Sequence, residues 1–268
     1  MPRPRVYKTP AIVLRQRKLG DTDKIVTLYT ANYGKLDAVA KGVRRPRSKL
    51  AGHVEPLIHA SFLLARGRNL DIVTQAETIE PFQVIRDDLD RLGPALYAAE
   101  LLDRFTEDRA ENFALYRLLL DTLRRIAARA DTAPLALRFY EMALLGQLGF
   151  QPELTACVGC RGRLDPEGTF WSAASGGVLC RACVPPEEPV RPLSANAVKV
   201  LRVLQSAPFS EAAKLVIRPE LAAEIERAMR EYVTCVLEQE VRSAAFLDAV
   251  RRARRPRPAA AASPAEPA

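Results

Sequence analysis

From residue 9 to residue 75 the apolar positions come in short runs broken by turn residues, several with the period of two that marks a half-buried strand. Ala11-Ile12-Val13-Leu14-Arg15 is one such run. Gly20-Asp21-Thr22-Asp23 reads as a turn, and residues 24–29 are rich in β-branched side chains. Asn32-Tyr33-Gly34 turns the chain into residues 35–40. Further on, Ile58, Ala60, Phe62 and Leu64 alternate strictly, and Arg66-Gly67-Arg68-Asn69 reads as a hairpin tip leading into residues 70–75. Five strands without an intervening helix predict a small closed barrel.

Past Pro81 the period lengthens to between three and four. Leu89, Leu92, Leu96, Ala99, Leu102 and Phe105 line one helical face, and Leu115, Leu118, Leu119, Leu123 and Ile126 line a second. A third helix is expected after Thr132 as cap, with Pro134 in its first turn and Gly149 at its end. Pro185, Pro186, Pro189 and Pro192 predict a linker, Ser194 caps a helix carrying Val198, Leu201 and Leu204, and a long helix from Pro219 is expected to extend to Val241. Cys235 fits a small buried apolar residue. The whole reads as an α+β multidomain chain. It comprises an OB-fold barrel over 1–80, a helical domain in two parts (81–152 and 186–250) around a cysteine module at 153–185, and a disordered basic tail at 251–268.

Charge sharpens the picture. Residues 1–80 hold 15 Lys+Arg against 7 Asp+Glu, whereas the other 188 hold 25 of each, so the net charge of +8 belongs to the barrel unit. Such a localised field attracts phosphate polyanions, nucleic acid or an anionic membrane surface. Five of the nine residues at 41–49 are cationic and none is acidic. OB-fold barrels hold single strands in a cationic groove with aromatic rings for base stacking. The candidate groove cations are Arg15, Arg17, Lys18, Lys35, Lys41, Arg44, Arg45, Arg47, Lys49, Arg66 and Arg68; the candidate stacking rings are Tyr29 and Tyr33, with His53 a weaker third. No apolar run is long enough to span a membrane and the start of the chain lacks a signal-peptide core, which points to the cytoplasm.

Cys157-Val158-Gly159-Cys160 and Cys180-Arg181-Ala182-Cys183 form two Cys-x-x-Cys turns 19 residues apart. Four soft thiolates in two tight turns match tetrahedral Zn²⁺, with an iron–sulfur cluster or a dithiol redox site as alternatives. Short strands around Phe170-Trp171-Ser172 and Val178-Leu179 complete the pattern of a zinc ribbon. Four cysteines leave no open coordination position, so a zinc here is structural. His53-Val54-Glu55 has deaminase spacing but lies about a hundred residues away in a strand-rich unit. The sequence has no phosphate-binding loop, nucleophile elbow or His-Glu-x-x-His pair, which disfavours an enzyme.

Several stretches, in order, resemble the RecO family of bacterial recombination proteins: Ala11-Ile12-Val13-Leu14, Gly20-Asp21-Thr22-Asp23-Lys24, Gly34-Lys35-Leu36 and Val39-Ala40-Lys41-Gly42-Val43-Arg44. Leu137-Arg138-Phe139-Tyr140-Glu141, Leu148-Gly149-Phe150-Gln151-Pro152 and Arg242-Ser243-Ala244-Ala245-Phe246-Leu247 continue the likeness. The resemblance covers roughly residues 7–250. It implies binding of single- and double-stranded DNA and annealing of complementary strands. It also implies contacts with RecR and with single-stranded-DNA-binding protein, so that RecA loads onto gapped DNA. An RNA-binding or transcription-associated adaptor is the competing class.

Overall fold

The computed structural model describes residues 5–165 and 168–254. Strands β1 (Val6–Leu19), β2 (Asp23–Thr30), β3 (Gly34–Ala40), β4 (His59–Ala65) and β5 (Asp71–Glu80) close a barrel in the order β1-β2-β3-β5-β4. Neighbours are antiparallel except β3 and β5, which pair in parallel at Ala38–Asp71 and Val39–Ile72. This is the OB-fold arrangement. β1 can close the barrel because it is long: its first half pairs with β4, its second half with β2, and its register shifts between Val13 and Arg15. Period-two alternation sends Val13, Val26, Leu28, Leu36, Phe62 and Leu64 into the barrel core. The opposite faces of β1 and β2 are also apolar, and Ile12, Leu14, Tyr29 and Ala31 belong to a second core shared with the helices.

That second core is built by α1 (Gln83–Arg86), α2 (Leu89–Phe105), α3 (Phe113–Ala128) and α4 (Ala133–Gln147). Side-chain caps define where α2 and α3 begin: Asp88 accepts the Asp90 amide and Asn112 accepts the Leu115 amide. At α4 the cap expected of Thr132 does not form, and its hydroxyl donates back to the Arg129 carbonyl instead.

The cysteine module follows as a sheet ordered β7-β6-β8, from β6 (Thr169–Ser172), β7 (Gly177–Cys180) and β8 (Arg191–Pro192). β8 lies inside the proline-rich segment expected to be a plain linker, paired to β6 at Phe170 and Trp171. Proline is compatible with this edge position, where no ladder amide is required of it. The chain then returns to the helical core through α5 (Ala195–Ser206), α6 (Phe209–Ala212), α7 (Pro219–Leu237) and α8 (Arg242–Arg254). Ser194 caps α5, accepting the Ala197 amide at 3.1 Å. α7 does not extend to Val241: Glu238 adopts a left-handed conformation (φ 52°) and ends it. Cys235 is exposed, contrary to the buried place expected of it. α8 continues to Arg254, so residues 251–254 of the tail expected to be disordered are helical, and residues 255–268 lie outside the described residues.

Barrel and helices are joined by close contacts. Gly34 has φ +63°, and a Cβ there would meet the Ala110 carbonyl oxygen at 2.1 Å, so only glycine lets the α2–α3 connection approach β3. In that approach the Arg109 amide donates to the Lys35 carbonyl at 2.7 Å, and Asp108 bridges to Lys35 beside the short parallel pairing of β3 with β5. The Arg109 guanidinium reaches the buried Asp71, which also accepts the Tyr7 hydroxyl.

Candidate nucleic-acid interface and metal centre

The proposed groove cations do not form one surface. Three of the strand residues are already engaged. Arg15 pairs with Asp103 at 2.6 Å, Arg17 with Asp37 at 2.7 Å, and Lys35 with Asp103 and Asp108. Lys35 is also largely buried, with 12% of its side chain exposed. The barrel face that would carry a strand across β2 and β3 is thus tied to its own carboxylates and partly covered by α2.

Tyr29 is removed from the stacking candidates. It is fully buried in the core shared with the helices, its hydroxyl has no hydrogen-bond partner, and burial pushes its pKa up to about 12. Tyr33 is half-buried and packs edge-on against Tyr7, with ring centroids 4.6 Å apart. His53 bonds Thr78 through Nδ1 at 2.7 Å. Arg66 lies over the Tyr7 ring, 4.8 Å from its centroid, at the β4–β5 tip with the exposed Arg68.

The remaining cations converge where the β1–β2 turn meets the β3–β4 loop. Lys18, Lys41, Arg44, Arg45, Arg47 and Lys49 are all exposed there. Among the described residues, none of these six has a carboxylate within ion-pair distance. The loop is nevertheless held in shape. Val43 is buried in the barrel core, and the Arg44 amide donates to the Thr22 carbonyl at 2.9 Å. Asp23 accepts the Gly42 amide at 2.7 Å and the Thr22 hydroxyl at 2.8 Å. Those two bonds, the amide first, hold the Asp23 carboxyl below its usual range, with Arg45 and Lys41 adding to the effect. Asp23 is the residue that the sequence reading missed. An aspartate beside a turn glycine is ordinary, and only the fold shows it gripping a loop 19 residues away.

At the other end of the chain the Sγ atoms of Cys157, Cys160, Cys180 and Cys183 all lie within 4.8 Å of one another. Cys160 and Cys180 sulfurs are 3.8 Å apart. A tetrahedron of sulfurs about 2.3 Å from a central ion has edges of about 3.8 Å, so the set fits a tetrahedral metal. Space is tight at this turn: a Cβ at Gly159 would sit 3.0 Å from Cys183 Cβ and 3.1 Å from its Sγ. Burial raises the Cys157 thiol pKa, but amide donors from Cys160, Cys180 and Gly159 outweigh burial and hold it near 6. Cys183 is pushed up to about 12, chiefly by its hydrogen bonds with Cys180 and Cys160. The crowded thiols therefore oppose one another's ionisation, which a bound cation would relieve. The module is anchored to α5, where Arg202 donates two bonds to the Leu154 carbonyl at 2.9 and 2.7 Å and Gln205 donates to that of Pro152.

A cation-bearing OB-fold barrel, fixed to a helical domain with a four-cysteine centre, has the build of a nucleic-acid-binding protein. Comparison with known proteins narrows the class. The family model "Recombination protein O N terminal" matches residues 4–82 and "Recombination protein O C terminal" matches residues 86–245. A protein of Roseiflexus sp. (strain RS-1) named DNA repair protein RecO is 43% identical over 250 residues, 93% of this chain and 88% of its own. Proteins of the same name from Dehalococcoides mccartyi (strain CBDB1) and Symbiobacterium thermophilum are 38% and 39% identical, over 94% and 93% of this chain and 99% of each of theirs. The chain belongs to the RecO family of DNA repair proteins. No helix among the described residues is long and apolar enough to cross a membrane.

Proposed function

We propose that this protein is a non-catalytic recombination mediator that binds single- and double-stranded DNA through the β1–β2 turn and the 41–49 loop. The observation that carries this reading is the group of Lys18, Lys41, Arg44, Arg45, Arg47 and Lys49, exposed together with no carboxylate within ion-pair distance among the described residues. Exposed cations not held in ion pairs neutralise phosphates at little cost, and two strands that repel each other in solution anneal more readily when their charge is neutralised. Backbone contact of this kind has little sequence preference. In the cell the protein anneals complementary strands and, with RecR, helps RecA load onto DNA coated with single-stranded-DNA-binding protein. It acts in the cytoplasm, at the nucleoid. The four cysteines hold a structural Zn²⁺: the donor set is all sulfur, and four ligands fill the tetrahedron.

A strand-annealing assay, with and without single-stranded-DNA-binding protein, tests the reading. Faster annealing of both naked and coated complementary strands is expected. A preference for RNA with no annealing would move the protein to the adaptor class.

A further inference from the structure

Asp23, the first residue of β2, places a negative charge against the loop that the proposed function gives to DNA. Its Oδ1 takes both the Gly42 amide (2.7 Å) and the Thr22 hydroxyl (2.8 Å). Around that oxygen the turn is closed by the bonds Arg44 N–H to Thr22 O (2.9 Å) and Arg45 N–H to Gly42 O (3.1 Å). The Arg44 guanidinium is drawn onto the β1–β2 turn by the Asp21 carbonyl at 2.9 Å. Only Val43 of the 41–49 loop is buried. One carboxylate oxygen and one apolar anchor thus set where the cations stand.

We infer that Asp23 is a positioning residue for DNA binding, whose carboxylate raises affinity by fixing the Gly42–Arg45 turn although its charge opposes the phosphates. The inference rests on the reading of the loop as the DNA contact. Two physical effects compete here. Through-space electrostatics alone makes any acidic group among these cations a penalty, so removing it would tighten binding. Preorganisation makes it a gain, because a loop already ordered loses less freedom when phosphates engage it. Asp23 accepts two hydrogen bonds in the turn, and its repulsion of a phosphate acts through water, whose high dielectric constant leaves it the smaller of the two effects. Preorganisation therefore wins.

Substitutions at Asp23 separate charge from geometry. Asp23→Asn removes the charge and keeps an acceptor oxygen in place. Asp23→Glu keeps the charge and displaces the oxygen by a methylene. Asp23→Ala removes both. Binding of the full chain to a fluorescent oligothymidylate is followed by anisotropy across a salt series. Asp23→Asn is expected to bind within about twofold of wild type or tighter, and Asp23→Glu and Asp23→Ala roughly three- to tenfold more weakly. The two weak variants should also show a salt slope shallower by about 0.7, the loss of one phosphate contact. Asp23→Ala binding as tightly as wild type, or Asp23→Asn binding more weakly than Asp23→Glu, overturns the inference. If Asp23→Ala does not fold, the Asn and Glu variants decide alone. A parallel Arg44→Ala/Arg45→Ala/Arg47→Ala variant keeps the two claims apart. Undiminished binding by that variant rejects the loop as the DNA contact, whereas its loss alongside a fully active Asp23→Ala rejects only the role of Asp23.

Discussion

The Lys35 ammonium lies 2.5 Å from the Asp103 carbonyl oxygen and 3.3 Å from its carboxylate, joining β3 of the barrel to the end of α2. Both side chains are mostly buried, at 12% and 15% exposure, so this contact belongs to the joint between the two units. Removing Lys35 leaves Asp103 with Arg15 as its remaining cation and takes away a mostly buried charged hydrogen bond to the Asp103 carbonyl, which costs about 1–2 kcal/mol. Lys35→Ala is expected to lower stability by that amount in urea unfolding while DNA affinity stays within about twofold. A stable Lys35→Ala protein with strongly reduced DNA binding would return Lys35 to the DNA surface.

Gly34 sits one residue earlier and allows the same joint. Alanine there combines an unfavourable positive φ with a collision at the Ala110 carbonyl. A loss of roughly 3 kcal/mol is expected, as backbone strain and displacement of the α2–α3 connection add. Thermal unfolding of Gly34→Ala checks this, and an unchanged midpoint would mean that the connection is not held against β3.

Two buried groups give opposing pH dependences. His59 lies with Nδ1 3.0 Å from Glu80 and Nε2 2.7 Å from the Tyr116 hydroxyl. Burial lowers its pKa below 6.5, against the smaller pull of Glu80. The unfolded chain therefore takes up a proton that the folded protein refuses, and the stability involved is present above pH 6.5 and lost as pH falls through it. Glu141 is wholly buried, and burial pushes its carboxyl up from 4.5 to about 7 despite its ion pair with Arg138. Its contribution is fully present below pH 4.5 and lost as pH rises through 7. His59→Gln should thus leave stability falling from about pH 5 to about pH 7, and Glu141→Gln should leave it rising, each by at most about 1.4 kcal/mol per pH unit. Urea midpoints across this range check both signs, and identical profiles for the two variants would contradict the assignment.

Trp171, the sole tryptophan, reports on the metal centre. It lies in β6, buried against Tyr232 with ring centroids 5.5 Å apart. About one zinc per chain is expected by elemental analysis, with binding worth on the order of 10 kcal/mol to folding of the module. Chelation or Cys157→Ser should shift Trp171 emission to the red as β6 and β7 loosen. Iron in place of zinc, or unaltered emission after complete metal removal, would contradict the structural role.

Local pattern carried most of the fold. The five strands, the main helices and the paired Cys-x-x-Cys turns follow from periodicity, turn residues and spacing, all properties of near neighbours in sequence. Contacts between distant segments were not legible. Arg15 and Lys35 read as groove cations because Asp103, their partner, lies 88 and 68 residues away. Tyr29 read as a candidate stacking ring because nothing in a strand pattern says that helices cover its outer face. β8 was hidden by prolines that an edge strand tolerates, and the end of α7 by the left-handed Glu238, for which an ordinary glutamate gives no signal.

The salt dependence of single-strand binding by wild type and by the Arg44→Ala/Arg45→Ala/Arg47→Ala variant tests the central claim most directly. Arg44, Arg45 and Arg47 are exposed, and although the Arg44 guanidinium donates to the Asp21 carbonyl, the loop backbone is also held by Val43 and Asp23, so the variant keeps its fold. If about five phosphates are neutralised, the wild-type slope of log K against log salt is near −3.5, and the variant's is shallower by about 2. Annealing should fail with it. A variant with the wild-type slope and undiminished annealing would contradict the account.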